Sequence, residues 1–211
     1  IAIFVNEWRV FDELKQTLTA VGAKEVGKNV HRMIWHDIEL DLIPFGGIAE
    51  DKQVFWPPDR NIIMAIDGFP EAFANVVNIR LDNGEVIPFC SLPGLALLKM
   101  FAWRDRGHSD ARDVIDLYKI VSEYGAIENS RIYEEPIDGE ASGWDPVRMG
   151  ATLLGFDIAM VGLKASVAEL RTLDKDALTD AIFRQSATLK SDEIEQIIDD
   201  FWHGLFQIDQ S

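Results

Sequence analysis

Two groups of residues in this chain have types and spacings that could do chemistry. The first is Asp41, in the run Ile38-Glu39-Leu40-Asp41-Leu42-Ile43. Alternation puts Ile38, Leu40 and Leu42 on one face of a strand and Glu39, Asp41 and Ile43 on the other. Asp is disfavoured in strands, so a carboxylate between apolar neighbours needs a reason to be there. A magnesium ion held by a carboxylate on a rigid strand is such a reason; a solvated sheet face is the plainer one. The second group follows Lys99, which lies between Leu98 and Met100 with Trp103 and Arg106 at i+4 and i+7, all on one helical stripe. Arg112, Asp113 and Asp116 come next, with Arg112 and Asp116 at i,i+4 and the two acids at i,i+3. A surface ion-pair ladder, worth at most ~0.5 kcal/mol per pair, accounts for Arg104, Asp105 and Asp110. It accounts poorly for Lys99, because a lone ammonium amid Leu95, Leu98, Met100 and Phe101 calls for a specific anionic partner.

The elements that must carry these residues follow an α+β pattern. Ile1 to Val5 reads as a central core strand with residues expected to precede it, and Asn6 as the cap of a helix to about Val21 whose stripe is Val10, Leu14, Leu18 and Val21. Gly22 and Gly27 bracket a loop. Asn29 to Trp35 and Ile38 to Pro44 form a hairpin turned at His36-Asp37, and Asn61 to Ile66 is a further strand. Asp82-Asn83-Gly84 turns a second hairpin between Val76–Leu81 and Glu85–Phe89. From Ser91-Leu92-Pro93 the period becomes helical. Ser109 caps a second helix carrying Val114, Leu117, Tyr118 and Val121. Past Asp145 four helical segments follow, with breaks near Gly155, Thr172-Leu173-Asp174 and Leu189-Lys190-Ser191. The expected division is an α/β core at 1–90, a helical pair at 91–125 completing a cleft, a linker at 126–143 and a C-terminal helical domain at 144–211. Phe55-Trp56-Pro57-Pro58 reads as a loop in which Trp56 pins the chain to the core; stacking on a nucleobase is the alternative.

Composition narrows the classes. With 211 residues, 47% hydrophobic and 27% charged, the chain has the make-up of an ordinary globular protein. No apolar run is long enough for a membrane helix and nothing resembles a signal peptide, so no membrane partner and a cytoplasmic location are expected. The one cysteine, Cys90, excludes an internal disulfide, and the four histidines have no zinc-ligand spacing. A net charge of −16 argues against a broad basic surface for nucleic acid. The segment from Lys99 to Lys119 carries +1, the one locally non-acidic stretch, where an anionic ligand would dock.

Taken in order, Ile1-Ala2-Ile3-Phe4-Val5, Asp41-Leu42-Ile43-Pro44-Phe45-Gly46, Lys99 with Ala102-Trp103, Arg112-Asp113-Val114-Ile115-Asp116-Leu117 and Leu153-Leu154-Gly155-Phe156-Asp157 resemble the AbiEii-type nucleotidyltransferases. These are toxin components of bacterial abortive-infection and toxin–antitoxin systems, within the polymerase-beta-like superfamily. The resemblance implies a nucleotidyltransferase-like mixed β-sheet core with helices, followed by a C-terminal helical bundle. It implies a Mg²⁺ cofactor, a nucleoside triphosphate donor, an RNA (such as tRNA) or protein hydroxyl acceptor, and an antitoxin partner. Asp41 would be a metal ligand or base, Lys99 would neutralise triphosphate charge, and Asp113 would complete the catalytic set. Arg112, Asp116, Arg106 and Trp103 would contact substrate, and Glu39 would support Asp41. The family's glycine turn and Asp-x-Asp pair would lie immediately before Ile1 and are absent from this numbering, so the chain as given should bind metal weakly and catalyse poorly. Two rival readings are a non-catalytic module binding an antitoxin or other partner, and a metal-dependent nuclease built on Glu39, Asp41 and a strand lysine, which the strand after Asp41 lacks.

Overall fold

In the computed structural model, residues 1–27, 29–107, 110–134, 136–185 and 190–206 are described. The chain is mixed α+β and divides into two units, Ile1–Pro70 and Glu71–Ser211. The second hairpin therefore groups with the helices, where a boundary near residue 90 was expected.

The first unit runs β1 (Ala2–Phe4), α1 (Trp8–Ala20), β2 (Lys24–Val26), β3 (Asn29–Trp35), β4 (Ile38–Asp41), β5 (Ile43–Phe45), β6 (Gln53–Trp56) and β7 (Ile62–Ala65). Among the described residues β1 has one strand neighbour, β5, in parallel, and Phe4 is exposed. The expected central strand is thus an edge pair. Helix α1 turns inward through Trp8, Phe11 and Leu18, while Val10 and Val21 of the predicted stripe are exposed. The aromatic rings win because each buries far more apolar surface than a valine. Glu7 takes the cap position expected for Asn6 and makes no side-chain cap bond.

The first hairpin forms as predicted. His36 and Asp37 both have positive φ, 48° and 63°, as a two-residue mirror-image turn requires. That turn sets Arg32 opposite Asp41 and Met33 opposite Leu40. The second strand ends sooner than expected: Leu42 is buried, its N–H donates to the His31 carbonyl at 2.7 Å, and β5 leaves to join β1. At Gly46 φ is 110°, and a Cβ there would lie 2.7 Å from the Val5 carbonyl oxygen. The Gly46-Gly47 turn thus serves a close backbone approach. Strands β2 and β6 fall where loops were read, and Trp56 closes β6 inside the core, in contact with Trp8 and Phe11.

Helix α2 (Phe69–Ala74) spans the junction between the units. The second unit continues with β8 (Val76–Arg80) and β9 (Val86–Cys90), an antiparallel pair turned at the predicted Asp-Asn-Gly. Helices α3 (Leu92–Arg106), α4 (Arg112–Ile127), α5 (Pro146–Val161), α6 (Lys164–Leu170), α7 (Lys175–Gln185) and α8 (Ser191–Phe206) complete it. Ser91 caps α3 by accepting the Gly94 N–H at 3.3 Å. Ser109, the expected cap of α4, lies outside the described residues; Asp110 accepts the Arg112 N–H at 3.0 Å at that end. Asp145 caps α5, accepting from Val147 at 2.8 Å.

Gly155 does not break α5. A Cβ there would meet the Phe201 carbonyl oxygen at 2.2 Å, and one on Gly204 would meet that of Thr152 at 2.0 Å. The glycines let the backbones of α5 and α8 touch. The expected linker at 126–143 contains a short helical turn, Arg131–Tyr133, whose Ile132 is fully buried. Arg131 clamps Asp157 with two bonds of 2.8 and 2.7 Å, and Tyr124 donates to the same carboxylate at 2.5 Å.

Candidate functional site

The predicted residues form one cluster in each unit. In Ile1–Pro70 the hairpin register delivers Arg32 to Asp41. Arg32 Nε donates to Asp41 Oδ1 at 2.7 Å and Nη2 to Oδ2 at 2.8 Å, while Nη1 lies 2.7 Å from Glu39. This is a bidentate fork, the strongest geometry available to a guanidinium and a carboxylate. The hydrogen bonds from Arg32 hold the Asp41 carboxyl below the ordinary carboxylate range, against a smaller opposing effect of burial. The His31 Nε2 is 3.9 Å from Asp41 Oδ1. Its Nδ1 is buried without a hydrogen-bond partner. Neither Arg32 nor His31 was singled out from the sequence. A turn at residues 36 and 37 pairs 35 with 38 and so 32 with 41, so the register already contained the Arg32 contact.

In Glu71–Ser211 the predicted residues of α3 and α4 meet. Lys99 Nζ donates to Asp113 Oδ1 at 3.0 Å and to Asp116 Oδ2 at 2.6 Å. Arg106 Nε donates to Asp113 Oδ2 at 2.6 Å. The Asp113 side chain is 4% exposed and that of Lys99 22%. Burial works against the Lys99 ammonium, but the bonds to Asp116 and Asp113 outweigh it and raise its pKa above that of an ordinary lysine. Burial likewise opposes the Asp113 carboxylate, and Arg106 and Lys99 more than offset it, lowering its pKa. The lysine that the sequence left without a partner is thus held by two acids from the next helix.

Two predicted substrate contacts are placed differently. Arg112 is largely exposed and pairs with Asp110 at 2.6 Å, holding that carboxyl at about 2. Trp103 is half-buried and lines a cleft of about 520 Å³ together with Arg104, Asp110, Leu173 and Arg184. Lys99 is not in that lining.

Among the described residues no three His, Cys, Asp or Glu side chains gather as a metal cluster. Asp41 offers one ionised carboxylate, which suits a Mg²⁺ bound mainly through water and substrate phosphates, provided Arg32 gives way. No helix of the described residues is long and apolar enough to cross a membrane. Compared with protein-family models, curated proteins and solved structures, the chain matches none.

Proposed function

We propose that this chain belongs to a Mg²⁺-dependent nucleotidyltransferase of the AbiEii type, which moves a nucleotide from a nucleoside triphosphate to a hydroxyl on RNA or protein. The observation that carries the reading is Lys99, a largely buried ammonium positioned by Asp113 and Asp116 on the neighbouring helix. To meet a triphosphate the ammonium would exchange the exposed Asp116 for phosphate, while the buried Asp113 keeps it in place. In the reaction the acceptor hydroxyl oxygen attacks the α-phosphorus, the α–β phosphoanhydride bond breaks, pyrophosphate leaves, and the hydroxyl proton passes to solvent water. Asp113 and Asp116 hold Lys99 in place, and Arg106 in turn holds Asp113. Because Arg32 keeps Asp41 ionised and weakly basic, Asp41 fits a metal ligand better than a general base. Bound Mg²⁺ would supply charge neutralisation at the phosphates.

The test uses protein expressed from its complete reading frame, incubated with α-labelled nucleoside triphosphates, Mg²⁺, and total RNA or total protein. Label moving to a macromolecule, and lost in Asp41→Ala, is the expected result. No transfer with any of the four nucleotides contradicts the proposal, and release of nucleotides from unlabelled nucleic acid points to a nuclease instead.

One observation favours a second reading, a non-catalytic module that accepts a strand from a partner protein such as an antitoxin. Val77, Ile79, Ile87 and Phe89 form an exposed apolar face on the β8–β9 pair. Alternation from the Leu81 N–H···Glu85 O bond turns the backbone groups of Val76, Asn78 and Arg80 outward. The opposite edge is blocked by Pro88, which has no N–H to offer, so an incoming strand would join β8. Asn78→Pro should abolish such a complex, and unchanged binding would rule this reading out.

A further inference from the structure

The cleft of about 520 Å³ beside Trp103 belongs to neither cluster, and its size is that of a small-ligand site. One wall runs along α7, from Asp174 just before the helix, through Ala177 and Ala181, to Arg184 in its last turn. Leu178 and Ile182 of the same helix are buried in the core, so the cleft is left open by alanines where large side chains would close it. Trp103 and Gly107 at the end of α3, and Leu173, supply further apolar lining. Two of the four charged side chains in the lining are balanced by neighbours: Arg104 by Asp105 at 2.7 Å and by Glu169, and Asp110 by Arg112 at 2.6 Å. The other two are not. Among the described residues Asp174 accepts the Ala177 N–H at 2.9 Å and meets no cation, while Arg184 donates through Nε to the Asp180 carbonyl at 3.2 Å and meets no carboxylate. The cleft therefore carries an unmatched anion at one end and an unmatched cation at the other. Their backbones are about 15 Å apart along the helix, and the Nε bond draws the guanidinium back, so the charges stand roughly 10–15 Å apart.

We propose that this cleft binds a short peptide with free ends, three or four residues long, carrying an aromatic side chain in its middle. An extended chain of that length spans about 10–14 Å, which matches the gap between the two charges. The peptide's ammonium meets Asp174, and its carboxylate takes the planar fork of Arg184. The central ring packs among Trp103, Leu173, Ala177 and Ala181, the apolar part of the lining. A single amino acid is too short to reach both charges, and a ligand charged at one end alone leaves the other unmatched. The inference is independent of the transfer reading, since Lys99 does not line the cleft.

The test is equilibrium dialysis of the full chain against three radiolabelled probes: the tripeptide alanyl-phenylalanyl-alanine, its N-acetyl form and its C-terminal amide. The free peptide should bind saturably, and masking either end should weaken binding roughly tenfold. Asp174→Asn, which keeps a good helix cap, should erase the preference for the free amino end and leave the other intact. Arg184→Gln should erase only the preference for the free carboxylate. Ala177→Leu, which fills the apolar middle, should abolish binding. Asp174 and Arg184 are both exposed, so the charge variants read the site even where Ala177→Leu does not fold. No saturable binding of the free peptide up to about 10 mM overturns the proposal. Equal binding of either masked peptide overturns it too, as does an end preference that survives in its matching variant or undiminished binding by folded Ala177→Leu.

Discussion

Asp113→Asn removes one charge from the Lys99 cluster while keeping the side chain's shape and one acceptor oxygen. Asp113 is 3% exposed and accepts from Lys99 at 3.0 Å and Arg106 at 2.6 Å. Removing one member of a buried pair typically costs about 3–5 kcal/mol, because the other charge is stranded. Two features reduce that here. Asp116 stays 2.6 Å from Lys99, and the Arg106 side chain is 56% exposed and can return to water. The expected loss is therefore about 2 kcal/mol, below the usual range. Urea unfolding followed by helical circular dichroism should show a lower midpoint with unchanged slope. The pH dependence has a definite sign. Asp113 has a native pKa below its unfolded value of about 3.9, so its contribution is complete above that pH and fades as pH falls through the native value. The gap between wild type and variant should be constant near neutrality and close below about pH 4. In a Lys99→Met background the penalty should shrink, since no buried ammonium is left to strand. A loss under about 0.5 kcal/mol, or a gap that does not change with pH, refutes this account of the cluster.

Gly204→Ala would gain up to about 1 kcal/mol from helix propensity alone. With the Thr152 carbonyl oxygen 2.0 Å from the new Cβ, thermal melts should instead show a loss of about 3 kcal/mol or more. Asp157→Asn, which weakens the Arg131 fork and the Tyr124 bond, should cost about 2–4 kcal/mol by urea unfolding. Burial and Asp157 raise the Tyr124 pKa, so its share of stability is full below the unfolded tyrosine value and lost as pH rises past it. Ultraviolet titration should accordingly find a phenol that resists ionisation at pH ~11 in wild type and ionises at lower pH in Asp157→Asn, though still above an ordinary tyrosine because burial remains. In Arg32→Gln, carboxyl-carbon NMR should show the Asp41 pKa rising toward the ordinary carboxylate range.

Much of the helical half was legible because its signals are local. The apolar period of α8 and the Asp145-Pro146 start of α5 lie within single segments, as does the Asp-Asn-Gly turn of the second hairpin. The failures came where a distant partner decides. Gly155 reads as a helix breaker on its own, and only its contact with Phe201 and Leu205 makes it a packing residue. Helix α1 was read correctly at Leu18 but wrongly at its ends, because Val10 and Val21 have the right spacing whereas Trp8 and Phe11 have Trp56 to pack against. Strands β2 and β6 are three and four residues long, too short for alternation to register. For the site, helical spacing put Asp113 and Asp116 on one face of α4, but their pairing with Lys99 depends on how α3 packs against α4 and was not legible. The fork on Asp41 was missed because strand alternation was read along one strand and not across the pair.

We propose that Lys99 meets triphosphate charge. Equilibrium dialysis of α-labelled nucleoside triphosphates with Mg²⁺, comparing wild type with Lys99→Met, tests it most directly. The wild type should bind saturably and the variant at least tenfold more weakly, through the loss of a charge-assisted contact to phosphate. Equal binding by the two proteins, or none by either, would contradict it.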